Sequence, residues 1–160
     1  MPQSDSGESV PRLQLDVETT AEPEHIRAAL LDFSDHRPDI WPGLTRDLYE
    51  VYSVGETTAE IKEGSRLPVM TAWAKEHYDW SDPATIRWTV VESNFCTPGS
   101  YVAATIRPRD GGGSRVHVEW ERTGTTFSGK LACRLMVLTK GSLIKKSLRD
   151  AFAILERESG

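Results

Sequence analysis

With 160 residues, 38% of them hydrophobic and 27% charged, the chain has the size of one domain, able to bury about two thirds of the surface its unfolded form exposes. No apolar run reaches the roughly 18 residues of a membrane-spanning helix, so no integral membrane association is expected. A net charge of -5 speaks against a general electrostatic grip on nucleic acid, and Cys96 and Cys133, with no CxxC pair, speak against a disulfide scaffold or a thiolate metal site.

Residues 1–11 are polar and carry neither a basic-plus-apolar leader nor a transit pattern, so a frayed tail on a cytoplasmic protein is expected, followed by one domain over residues 12–158. Arg12 to Thr19 alternates Leu13, Leu15 and Val17 with polar neighbours, which predicts a half-buried strand. Thr20 as cap, an early proline and the row Ile26, Ala29, Leu30 and Phe33 predict a short helix, and Ser34-Asp35 opens a second helical turn that Pro42-Gly43 ends. Leu48–Val54 and Thr57–Lys62 read as a hairpin around Gly55-Glu56, a register that sets Tyr52 opposite Ala59 and Glu50 opposite Ile61. Val69–Trp80 with Thr85–Glu92, and Tyr101–Arg107 with Arg115–Thr123, form two further pairs. From Ser128 to Glu158 one long helix is expected. Its apolar row of Leu131, Leu135 and Leu138 gives way after Gly141 to Ile144, Leu148, Ala151, Phe152 and Leu155, so a bend or the close approach of another segment is expected at the glycine.

The succession of a strand, two small helices, a six-stranded antiparallel run and a long C-terminal helix resembles the helix-grip fold of the START-like superfamily, in its polyketide cyclase/dehydrase branch. Trp41–Leu44 (WPGL), Glu76–Trp88 (EHYDWSDPATIRW), Gly112–Trp120 (GGSRVHVEW) and the final helix carry the resemblance, which spans residues 12 to 157. It implies an α+β fold, a seven-stranded antiparallel sheet curved around the C-terminal helix, with a hydrophobic cavity between them. Aromatic polyketide cyclases, lipid and quinone carriers and hormone receptors share this fold, and no universal catalytic set comes with it.

The ligand expected on this resemblance is a hydrophobic small molecule, polyketide-, aromatic- or lipid-like, and any chemistry is proton transfer without a cofactor. Candidate wall residues are Trp41, Tyr52, Trp73, Trp88, Phe95, Tyr101 and Trp120 with Leu131, Leu135 and Leu138, since tryptophan and tyrosine offer a large apolar face and one polar handle. Alternation turns Val116, Val118 and Trp120, and likewise Ile86, Trp88 and Val90, toward the helix. His117 and Glu119 then face solvent and no further ligand accompanies them, so no metal is expected. An even loop after the strand at 69–80 would turn Trp73, Lys75, His77 and Asp79 inward; an odd one would turn Glu76, Tyr78 and Trp80 inward. His77 and Glu50 are the candidate acid/base groups, and Lys130 and Arg134 candidates for an acidic ligand group at the cavity mouth. No nucleophile elbow, phosphate loop or dinucleotide fingerprint is present. The rival reading is a partner-binding protein, monomer or homodimer, whose interior is filled by its own aromatic side chains.

Overall fold

The computed structural model describes residues 12–68 and 70–158. The polar tail over residues 1–11 and Val69, expected to open a strand, lie outside the described residues. Strands β1 (Arg12–Thr19), β2 (Glu50–Val54), β3 (Thr58–Arg66), β4 (Thr71–Asp79), β5 (Thr85–Ser93), β6 (Tyr101–Pro108) and β7 (Ser114–Glu121) form one antiparallel sheet in the order β1-β7-β6-β5-β4-β3-β2. Helices α1 (Pro23–Leu30) and α2 (Arg37–Ile40) follow β1, and α3 (Phe127–Leu138) and α4 (Ser142–Glu158) close the chain on the same face of the sheet as the core.

Alternation decides which face is buried. Val17 on β1, Ile86 on β5, and Val116, Val118 and Trp120 on β7 are inward, as expected, and with Val102 and Ala104 of β6 they meet Ile26 and Leu30 of α1 and Phe152 and Leu155 of α4. Burying side chains as large as Phe152 and Leu155 stabilises by about 1.5–3 kcal/mol each. Helix α1 starts at Pro23 with Glu22, not Thr20, as its N-cap; the Thr20 amide instead donates to the Glu156 carboxylate on α4 at 3.1 Å.

Two expectations on local structure are corrected. The β2–β3 register sets Val54 rather than Tyr52 against Ala59, and Glu50 against Lys62, because the turn spans Gly55 to Thr58 and moves the pairing by two residues, of which the irregularity at Tyr52 takes one back. Strand β3 also continues past Lys62, where apolar alternation stops, because Glu63 to Arg66 still pair with Ala74 to Thr71 of β4. A backbone ladder needs partners, not apolar side chains.

The C-terminal helical segment divides into α3 and α4 at Lys140 and Gly141, which have φ of 53° and 71°. Here the glycine serves both expected purposes at once: it takes the left-handed conformation, and a Cβ there would collide with Leu13 and Leu15 of β1. Helix α3 presents Gly129 and Cys133 to the interior, with Leu131 and Leu138 turned outward and Leu135 partly exposed, so its inner row differs from the leucine row expected. Gly129 explains the choice, since a Cβ at that position would run into the Phe95 carbonyl and push α3 off the sheet.

Candidate functional site

A cavity of about 490 Å³ lies between α3 and the inner face of β3, β4, β5 and β7. Strand β4 shows why the space is there. Its inward residues run Ala72, Ala74, Glu76, Tyr78, so one end of the strand projects only methyl groups while the other projects a phenol ring. At the filled end Tyr78 stacks on Trp88 with centroids 5.4 Å apart and meets the edge of Phe33 at 5.1 Å. The hollow end is walled by Trp41, Trp88, Phe95, Trp120 and Met136 and opens to solvent beside Leu67, Leu135 and Leu143, which line it while remaining substantially exposed. Trp41 is held by its indole N–H donating to the Ala29 carbonyl at 3.3 Å and by an edge contact with Phe152.

Three charged residues break this apolar wall: Glu63, Glu76 and Arg122. Behind Glu63 stands Arg37 of α2, whose side chain is only 4% exposed. Every part of that guanidinium is engaged: Nε donates to Glu63 Oε1 at 2.5 Å, Nη1 to the carbonyls of Leu30 and Asp32, and Nη2 to the Tyr78 hydroxyl at 3.0 Å. Tyr78 in turn donates to Glu63 Oε2 at 2.7 Å. Burial pushes the Glu63 carboxyl up, but the Arg37 charge and the Tyr78 hydrogen bond outweigh it and hold Glu63 below the ordinary carboxyl value.

Glu76 behaves in the opposite way. Burial, reinforced by the negative Glu63 beside it, pushes its carboxyl up to about 8 despite the opposing Arg122 charge. Near neutral pH it is therefore mainly a neutral acid, donating to Glu63. Arg122 Nη2 donates to Glu76 Oε2 at 3.0 Å, and its guanidinium lies 5.6 Å from the centre of the Phe95 ring. Its Nε is buried and has no partner among the described residues. The sequence Arg37–Glu63–Glu76–Arg122 is thus one chain of hydrogen bonds, with two cations, one anion and one neutral acid at neutral pH. Cys133 also lines the cavity; burial pushes its thiol up to about 11, so it is not a thiolate nucleophile at neutral pH.

No protein-family model matches the sequence, and no curated protein does. Solved structures match over nearly the whole chain. The Zhui aromatase/cyclase from Streptomyces sp. R1128 aligns with a TM-score of 0.76 at 12% identity, covering 93% of this chain and 95% of that one. A START superfamily protein from Mycobacterium smegmatis aligns at 0.69 and 13%, covering 91% and 97%. The fold is START-like. Norcoclaurine synthase from Thalictrum flavum, in complex with dopamine and hydroxybenzaldehyde, shares this START-like fold at a TM-score of 0.66 and 17% identity, covering 93% of this chain and 87% of that one. Identities this low speak for architecture, the polyketide cyclase/dehydrase-like helix grip implied by the sequence resemblance, and for nothing finer.

On the START-like frame the sequence candidates separate by face. Trp41, Trp88, Phe95, Trp120 and Leu135 come together on the cavity. Tyr52, Trp73 and Tyr101 do not: they lie on the outer face, each with a cation over its ring, Lys75 at 4.5 Å, Lys62 at 4.9 Å and Arg87 at 3.8 Å. An aromatic ring on the solvent side of a sheet is shielded by such a basic side chain and its aliphatic stem. Leu131 and Leu138 are exposed on α3, and Lys130 and Arg134 are exposed and line no part of the cavity.

The two acid/base candidates are also outside. His77 faces Thr89 across the ladder and lies 2.5 Å from Glu60 on the solvent side, because the loop at 80–84 has an odd number of residues and turns Glu76 and Tyr78 inward instead. Glu50 sits on the exposed edge strand β2, where it accepts from the Tyr52 hydroxyl at 3.3 Å. The charged groups that do reach the cavity carry a signal that strand parity holds. Glu63 continues the inward row of Ala59 and Ile61, and Arg122 continues the row of Val116, Val118 and Trp120.

Proposed function

We propose that this protein binds a hydrophobic small molecule, aromatic-, polyketide- or lipid-like, in the cavity between sheet and C-terminal helices, and acts as a carrier or sensor for it. The cavity itself carries the reading: about 490 Å³, walled mainly by tryptophan, phenylalanine and aliphatic side chains, with the partly exposed Leu67, Leu135 and Leu143 among its lining. A space of this size and lining matches what a ring system or a folded acyl chain needs. A partner-binding protein with a filled interior would instead have bulky residues where β4 places Ala72 and Ala74.

A second reading, a cofactor-free cyclase or dehydratase, is favoured by one observation. Glu76, a buried carboxyl on the cavity wall whose value burial raises, supplies an acid when protonated and a base when ionised. Either reading is tested by native mass spectrometry of freshly purified protein, followed by denaturing extraction of whatever co-purifies. A discrete apolar adduct is expected, and its conversion or persistence separates enzyme from carrier. No adduct, together with no thermal stabilisation by a panel of aromatic polyketides, quinones and lipids, would overturn cavity binding. Trp88→Ala removes wall and is expected to abolish binding while costing about 3 kcal/mol of stability; unchanged binding would return Trp88 to a packing role alone.

A further inference from the structure

A buried donor without an acceptor asks for one. Among the described residues the cavity wall holds a guanidinium whose Nη2 is committed to Glu76 and whose Nη1 reaches only the Cys96 sulfur at 3.9 Å, while its Nε has no partner. The side chain is 12% exposed, so bulk water does not satisfy it freely. Around it the wall is apolar: Phe95 on one side, Trp120 two positions back along the chain, and Cys133 and Met136 across from it on α3. No acidic side chain other than Glu63 and Glu76 lines this space, and Glu63 is already saturated by Arg37 and Tyr78.

We propose that Arg122, held in place by Glu76, is a binding subsite for a hydrogen-bond-accepting oxygen, carbonyl or enolate in character, carried at the inner end of an otherwise apolar ligand. This rests on the cavity-binding reading and narrows its ligand class. The geometry orders the roles. Glu76 fixes one edge of the guanidinium, and the acceptor oxygen takes an N–H that this pairing leaves over, on Nη1 or Nε. The ligand body lies along the Trp41, Trp88 and Trp120 wall toward the mouth at Leu135. A pure hydrocarbon leaves Nε unpaired, and a ligand bearing only donors sets N–H against N–H, so both are disfavoured. The balance of charge agrees: with Glu76 neutral, the two guanidiniums outnumber the single carboxylate of Glu63, which draws electron-rich oxygen to this end.

The experiment compares two probes of nearly equal shape, 2-acetylnaphthalene and 2-isopropenylnaphthalene, by quenching of tryptophan fluorescence at pH 6.5 in the full-length protein. The ketone is expected to bind at least about tenfold more tightly than the hydrocarbon, the ratio expected when one buried donor gains or lacks its partner. Arg122→Met should bring the two within about twofold of each other. Glu76→Gln, which keeps a neutral side chain beside Arg122, should keep the preference and hold it constant as pH rises through 8, where the wild-type preference changes. Should Arg122→Met not fold, the carbonyl stretch of the bound ketone in the wild type decides: a shift to lower frequency than in an apolar solvent is expected. Equal binding of the two probes, or a bound carbonyl at its apolar-solvent frequency, would overturn the subsite and leave cavity binding standing. Binding of neither probe would overturn the cavity reading and the subsite with it.

Discussion

Arg37 and Arg122 are both buried guanidiniums paired with buried carboxyls that touch one another, yet they are built in opposite ways. Arg37 places every nitrogen on an acceptor, stacks on Phe33 and Tyr78, and ties α2 to the sheet. Arg122 makes one strong bond, to Glu76, and leaves an N–H over from which nothing among the described residues accepts. Saturation marks a charge that holds the fold; an unused valence on a cavity wall marks one kept for something else. The two carboxyls repeat the contrast, Glu63 ionised and fixed, Glu76 neutral and able to change.

The sharpest way to break this comparison is to remove each guanidinium in turn. Arg37→Met leaves Glu63 buried without its cation and is expected to lower the unfolding free energy by about 3–5 kcal/mol, whereas Arg122→Met, beside a carboxyl that already carries its proton, should cost about 1 kcal/mol. Urea denaturation of both variants checks it, and equal losses would erase the distinction between them. The next effect is on pH. Glu76 titrates at about 8 in the native protein and near its ordinary 4.5 when unfolded, so its contribution is fully present below about 4.5 and is lost as pH rises to about 8. Glu63 is depressed, so it contributes in the other direction, losing stability as pH falls below its ordinary range. Denaturation midpoints across this window should therefore fall toward pH 8 in the wild type, and Glu76→Gln should flatten that slope.

Two tyrosines give a finer version of the same contrast. Tyr78→Phe removes a hydroxyl that both accepts from Arg37 and donates to Glu63 and should cost about 1.5–3 kcal/mol. Tyr49 has a buried hydroxyl with no partner among the described residues, so Tyr49→Phe should be neutral or stabilising by up to about 1 kcal/mol, read by thermal melting. The smallest effect belongs to the outer face. His77→Gln breaks only a half-exposed pair with Glu60 and is expected to change stability by less than about 0.5 kcal/mol and probe affinity not at all.

Fold and site were legible in the sequence to different depths. Alternating apolar residues on β5 and β7 and the row on α4 show their faces directly, because burial of carbon writes itself as periodicity. Parity also reaches Glu63 and Arg122, two positions beyond Ile61 and Trp120, but a charged residue ends an apolar pattern and so hides its own inward position. Glu76 against His77 turned on whether a loop has an odd or even number of residues, which composition alone does not settle. Arg37 left no local mark, since its burial depends on Leu30, Glu63 and Tyr78 arriving from three separate elements.

The sheet order sets when this pocket comes into being. Strand β1 finds its partner in β7, and the Arg12–Glu121 contact spans 109 positions, so the last ladder to form closes a loop of most of the chain and carries a large entropic cost. Trp120 and Arg122 sit at the far end of β7, which carries this closing ladder on one side and the local β6 hairpin on the other, and α3, which supplies Cys133 and Met136 to the wall, follows later in the chain. The cavity is therefore expected to close late in folding. A bound probe should accordingly slow unfolding in stopped-flow experiments while leaving the refolding rate as it was, the ligand acting as a clasp on the finished molecule rather than a template for making it.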